Sequence, residues 1–118
     1  MEHGSIPISK DYEIQFRYYD KDQTYKYFNR KFEVLLLEKK ALKKNYLLHM
    51  DNTDTSKGNF KPKIYTTQHV NKKMNLGVTT LNWNDIKNNF LDVIVTHIGE
   101  NHRDPAKKAL NKLHSPKL

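Results

Sequence analysis

Positive charge is the first chemistry this sequence offers. The stretch KKALKKNYLLHMDNTDTSKGNFKPKIYTTQHVNKK, residues 39–73, holds nine lysines against two aspartates, net +7. Residues 101–118 are net +4, whereas 1–38 and 74–100 are net −1 and −2. Lysines outnumber arginines by 18 to 3 and Asn is frequent, a bias that A/T-rich codons would produce. Codon bias scatters lysines evenly, however, and here they fall into two blocks. Clustered cations neutralise phosphates, and exposed rings between them can stack on bases. Tyr46, Phe60 and Tyr65 lie inside the first block. The candidate nucleic-acid-binding residues are therefore Lys39, Lys40, Lys43, Lys44, Lys61, Lys63, Tyr65, Lys72 and Lys73, joined by Lys107, Lys108 and Lys112 of the second block. If 63–67 is a strand, Lys63 and Tyr65 share one face beside Lys61. The competing explanation makes Tyr46 and Tyr65 core residues and the lysines mere solubilising groups.

Six histidines offer acid–base chemistry, and THIGENHRD gathers His97, Glu100, His102, Arg103 and Asp104 within eight residues. A metal-independent nuclease could use such an inventory, with a His or carboxylate as base and Arg to stabilise phosphorane charge. The spacing follows no catalytic or metal-binding pattern. The plainer reading has His97 closing the apolar face of a helix and the other residues capping its C-terminal end, where cations are favoured. No catalytic residue is assigned. Asp51, Asn52 and Asp54 lack the alternation and terminal Glu of a calcium loop. With no cysteine in the chain, a disulfide framework, a Cys-based zinc site and a thiol nucleophile are all excluded. The four glycines are too scattered for a phosphate-cradling loop. No cofactor or metal is expected.

These groups need elements to position them. DYEIQFRYYDKD alternates, with Tyr12, Ile14, Phe16 and Tyr18 on one face, as a half-buried strand does. The run TYKYFNRKFEVLLLEKKALKKNYLLHMD is ambiguous, because no Gly or Pro interrupts it between Pro7 and Gly58. Aromatic and β-branched content before Leu37 favours a strand over 25–37, then a basic connection, then a strand at 45–50. As a helix over 24–48, Tyr25, Phe28, Phe32, Leu35, Leu36 and Leu42 would form the stripe. DNTDTSKGNFKP reads as a mobile loop over 51–62, KIYTTQHV as a short strand, NKKMN as a turn and LGVTTL as a further strand. NWNDIKNNFLDVIVTHIG predicts a helix over 83–98, capped by Asn82, closed by Gly99 and buried along Ile86, Phe90, Val93, Ile94 and His97. RDPAKKALNKLH predicts a short basic helix with Ala106, Ala109, Leu110 and Leu113 inward, too short to persist unless it docks on the body or folds on a partner.

The fold expected is α+β: an antiparallel sheet of about four strands, backed by one amphipathic helix (83–98), with a short basic C-terminal helix. Residues 1–10 are expected to be a flexible N-terminus, 11–100 a single domain and 101–118 a basic helical tail. Within it, NKKMNLGVTTLNWNDIKNNFLDVI, 71–94, resembles the end of a family of transcriptional coactivator domains, in which basic residues precede a strand with a Gly–hydrophobic–Ser/Thr–Leu pattern and then a helix. That resemblance implies a helix-backed antiparallel sheet presented to single-stranded DNA by a dimer.

Two function classes follow. The leading expectation is a small basic protein that binds nucleic acid, single-stranded DNA or RNA favoured, on a lysine-rich surface interleaved with aromatics. The alternative is a protein–protein module, an inhibitor or assembly subunit that binds an acidic partner, either as a homodimer or within a complex. A nuclease built on His97–Asp104 ranks below both, and a membrane-surface protein is left as the remainder. The N-terminus has neither the basic nor the apolar region of a classical signal peptide, and the longest apolar run is Val34–Leu37, so no membrane span is expected. An intracellular protein, cytoplasmic or nuclear, is the corresponding expectation.

Overall fold

The computed structural model describes residues 2–18, 32–52, 62–66, 69–75 (backbone path) and 82–114. Among these residues, six strands form one antiparallel meander in the order β1-β2-β3-β4-β5-β6. They are β1 (Glu2–Pro7), β2 (Tyr12–Tyr18), β3 (Phe32–Lys40), β4 (Lys43–Asn52), β5 (Pro62–Thr66) and β6 (His69–Asn75). Helices α1 (Trp83–Ile98) and α2 (Arg103–Asn111), separated by a 3-10 turn at Glu100–His102, cover one face. The α+β architecture expected from the sequence is the one observed, with six strands in place of about four.

Period-two burial builds the sheet. Ile14 of β2, Phe32, Val34 and Leu36 of β3, Leu48 and Met50 of β4 and Ile64 of β5 all bury completely or nearly so against the helices. A bulge between Leu36 and Leu37 pairs Leu36 with Leu48 and Leu37 with Tyr46, leaving Leu47 as the extra residue. The bulge keeps Leu48 and Met50 on the helix side while letting the strand continue into a polar segment.

Four expectations change here. Residues 2–7 are not a loose terminus: they pair with β2 from Glu2↔Tyr18 to Pro7↔Glu13, and Ile6 and Ile8 enter the core. Their alternation is hidden because Gly4, opposite Phe16, leaves room for that ring; a Cβ there would lie 2.8 Å from Phe16 Cζ. The basic connection after Leu37 is itself strand, since β3 runs to Lys40 and β4 starts at Lys43. The helical alternative for 24–48 therefore fails over its described part, 32–48, where strand pairing takes up the backbone hydrogen bonds. NKKMN is not a turn but most of β6, paired with β5 from Lys63↔Asn75 to Thr66↔His69, so that KIYTTQHV is split between two strands. The expected strand at 76–81 lies outside the described residues, as do 25–31 and most of the expected loop at 51–62; its ends, Asp51–Asn52 and Pro62, belong to β4 and β5.

Helix α1 begins as its sequence dictates: the Asp85 N–H donates to Asn82 Oδ1 at 2.8 Å. It ends at Gly99, whose φ of 105° strains any L side chain and whose N–H donates to Val95 O at 2.9 Å. Its buried face is Ile86, Phe90, Leu91, Ile94 and Val95. His97 does not close that face; it is exposed, because the stripe follows the i, i+4, i+5, i+8 positions and rotates away from it. Helix α2 docks on the body through Ala106, Ala109 and Leu110, followed by Leu113, whose carbonyl accepts from Trp83 Nε1–H at 3.1 Å. Tyr12 packs edge-on to His102 and Tyr18 against His114, so the helical segment crosses from one end of the sheet to the other.

Candidate nucleic-acid interface

The strongest concentration of unusual features lies where β3 turns into β4. Pairing with β2 stops at Tyr12↔Glu38, extended by one bond from Lys39 N–H to Asp11 O at 2.7 Å. Pairing with β5 begins only at Leu48↔Thr66. Among the described residues, the end of the β3–β4 ribbon thus stands clear of both neighbouring strands. Its turn is Ala41–Leu42, a two-residue connection of the kind that demands positive φ, and Ala41 supplies it at 44° without being glycine. Leu42 is exposed over its whole surface, 105% of the reference value.

Four lysines flank this turn in two directly opposed pairs, Lys39↔Lys44 and Lys40↔Lys43. Like charges facing each other across a ladder destabilise it. Partial compensation comes from Lys44 Nζ, 3.1 Å from Glu13 Oε1, and from Lys40 Nζ, 3.3 Å from Glu38 Oε1. Lys39 and Lys43 have no carboxylate partner among the described residues. Alternation places Lys39 and Lys44 on the open face of the sheet, with Glu13, and Lys40 and Lys43 on the helix side, with Glu38. Glu38 also accepts from Tyr12 Oη at 3.4 Å; burial first, and Glu38 second, raise the Tyr12 phenol above its ordinary value.

The open face continues the ribbon into the body with mixed chemistry. Tyr46, nearly half exposed, follows Lys44 on this face, opposite the fully buried Leu37. Further along β4 the face carries His49 and Asp51, with His49 Nε2 3.7 Å from Asp51 Oδ2. Across the ladder, Tyr65 pairs with His49 and Lys63 with Asp51, and the Tyr65 and His49 rings sit 5.7 Å apart. Glu33 lies opposite Asp51 on the other side. Lys63 and Tyr65 therefore share a face as the alternation requires, but acids are interleaved with them and Tyr65 is only partly exposed. Lys73 occupies the register position beside Tyr65, and Lys72 the adjacent one in β6; Lys61 and Phe60 lie outside the described residues.

Lys107, Lys108 and Lys112 are exposed on the outer side of α2, whose opposite side is buried in the core between helices and sheet. Among candidates whose side chains are described, the structure thus separates three groups: the hairpin lysines, the open-face pair Lys63 and Tyr65, and the α2 lysines on the far side; Lys72 and Lys73 are placed by backbone register alone, in β6. The residues missed by spacing are Ala41 and Leu42. Their signal was the symmetry of KK-AL-KK about a two-residue centre, obscured by the helix-forming composition of EKKALKK.

The His97–Asp104 segment is occupied with structure. The Nδ1 of His97 lies 3.0 Å from Val93 O and that of His102 2.7 Å from Ile98 O; a carbonyl only accepts, so each Nδ1 carries the proton. Arg103 donates to Glu100 through two nitrogens, and these hydrogen bonds hold the Glu100 carboxyl below its ordinary range; Arg103 also reaches Asp92 Oδ1 at 3.1 Å. These contacts close the α1–α2 corner. Among the described residues no group of three or more His, Asp or Glu side chains could hold a metal ion, and no helix is long and apolar enough to cross a membrane. No protein-family model, no curated protein and no solved structure matches this chain.

Proposed function

We propose that this protein binds nucleic acid, with the β3–β4 hairpin as its principal phosphate-contacting element. The observation that supports this reading is the placement of Lys39, Lys40, Lys43 and Lys44 as two opposed like-charge pairs at the end of a projecting ribbon. Such an arrangement costs the folded chain stability at a surface position where almost any polar residue would fold better. A polyanion removes that cost on binding, and the condensed counterions it releases favour association. Tyr46, next to Lys44 on the open face, is among the described residues the ring best exposed for stacking on a base. Lys63 and the register position of Lys73 extend the same face.

The test is a fluorescence-anisotropy titration against labelled single-stranded DNA, single-stranded RNA and duplex DNA between about 50 and 200 mM salt. Submicromolar binding whose affinity falls steeply with salt is the expected result. Weak binding, equal for all three and gone at physiological salt, would return the lysines to a solubilising role and direct attention to an acidic protein partner.

A further inference from the structure

The hairpin carries more than charge, and its tip is apolar. Leu42 is fully exposed at the apex, held by a turn in which Ala41 adopts positive φ. Ordinary hairpin turns place Asn, Asp or Gly here. A leucine at the apex of a basic ribbon takes no part in the described core, since no described residue covers it. The cations around it are arranged on both faces of the ribbon, Lys39 and Lys44 on one and Lys40 and Lys43 on the other. A flat phosphate surface would engage only one of these faces. A groove, with a phosphate row on each side, engages both.

We infer that the β3–β4 hairpin enters the minor groove of duplex nucleic acid, with Leu42 as an apolar wedge between base-pair steps and the four lysines on the flanking phosphate rows. This rests on the nucleic-acid reading above and specifies the duplex as its form of ligand. Proteins that enter the minor groove commonly insert an aliphatic side chain between stacked bases, opening the step and bending the helix. The segment Lys39–Lys44 contains no Asn, Gln or Arg that could read base edges. Selectivity would therefore follow deformability, favouring mismatched, nicked or pyrimidine–purine steps over stiff A-tracts. An anionic membrane is the less suitable partner for the same tip, because one leucine without Trp or Phe gives little apolar insertion.

The experiment pairs a bending measurement with binding. A duplex of about 25 base pairs, labelled at both ends for resonance energy transfer, is made with a central mismatch, a central TA step or an A-tract. The wild-type protein should bend the first two and bind the mismatched duplex about tenfold more tightly than the A-tract. Leu42→Ser, at a fully exposed position, should bring that preference to within about twofold and abolish the bend, while leaving the salt dependence unchanged. Circular dichroism and thermal unfolding of the variant establish that it folds. Bending and preference that survive Leu42→Ser would overturn the wedge, as would tighter binding to single strands. Leu42-dependent binding to phosphatidylserine vesicles in place of DNA would also overturn it. Steep salt dependence with no role for Leu42 would remove the wedge and keep the nucleic-acid reading; no binding to any nucleic acid would remove both.

Discussion

The two halves of the β3–β4 ribbon obey different rules. Toward the helices, Val34, Leu36, Leu48 and Met50 are 0–1% exposed, and Phe32 beside them is fully buried. A few residues further along the same two strands, like charges face each other, a non-glycine residue holds positive φ, and a leucine is wholly in water. Each local choice in the first half supports the fold, and several in the second half oppose it. Local conflicts of this kind concentrate at functional sites, where the requirement of a partner outweighs that of stability. The contrast is internal to one hairpin, so general features of the chain, such as its high lysine content, affect both halves alike and do not account for it.

The largest separation between the halves appears on truncating a leucine in each. Leu36→Ala should destabilise the protein by about 2–5 kcal/mol, through lost burial and the cavity left behind. Leu42→Ala should change stability by no more than about 0.5 kcal/mol. Urea unfolding of both variants measures the difference, and similar losses at the two sites would dissolve the comparison.

Ala41→Gly should stabilise the fold by about 0.5–1 kcal/mol, because a positive φ costs an L-residue more than glycine loses in chain entropy. An unchanged or lower unfolding midpoint would mean that the turn is unstrained.

Lys43→Glu sharpens the comparison further, since it should move stability and binding in opposite directions. Facing Lys40 with an acid exchanges repulsion for attraction, a gain of about 0.2–1 kcal/mol in unfolding free energy. Nucleic-acid affinity should fall in the same variant. Loss of both together would make the lysine structural.

The smallest effect is a pH dependence where the two halves meet. The Tyr12 phenol is raised above 10.0 in the folded protein, first by burial and then by Glu38. Its contribution is therefore fully present below pH 10 and is lost as pH rises through the raised value. Tyr12→Phe should abolish that part of the alkaline destabilisation, so the gap between the two unfolding curves should change only on the alkaline side. A gap that stayed constant from neutral to alkaline pH would remove Tyr12 from the account.

Legibility in the sequence followed the same division. Strand β2, helix α1 with its Asn82 cap and Gly99 stop, and the docked stripe of α2 were visible because periodicity and capping chemistry agree there. Strand β1 was not, since the inward position opposite Phe16 is a glycine that interrupts the alternation. The hairpin end has the sequence of a connection, because lysines are poor strand formers and carry no period-two signal when both faces are polar. Strand β6 failed for that same reason. The candidate lysines could be named from charge segregation alone. Their division between the hairpin, the open face and the far side of α2 could not, because it depends on strand register and on which face the helices cover.

The most direct measurement compares salt dependence for three proteins on one duplex: wild type, a variant with Lys39, Lys40, Lys43 and Lys44 all changed to Gln, and a variant with Lys107, Lys108 and Lys112 changed to Gln. The hairpin account predicts that the first variant lowers the slope of log affinity against log salt by about 3–4. The second variant should leave the slope nearly as it is in wild type. Equal slopes for wild type and the hairpin variant, or a loss confined to the α2 variant, would contradict it.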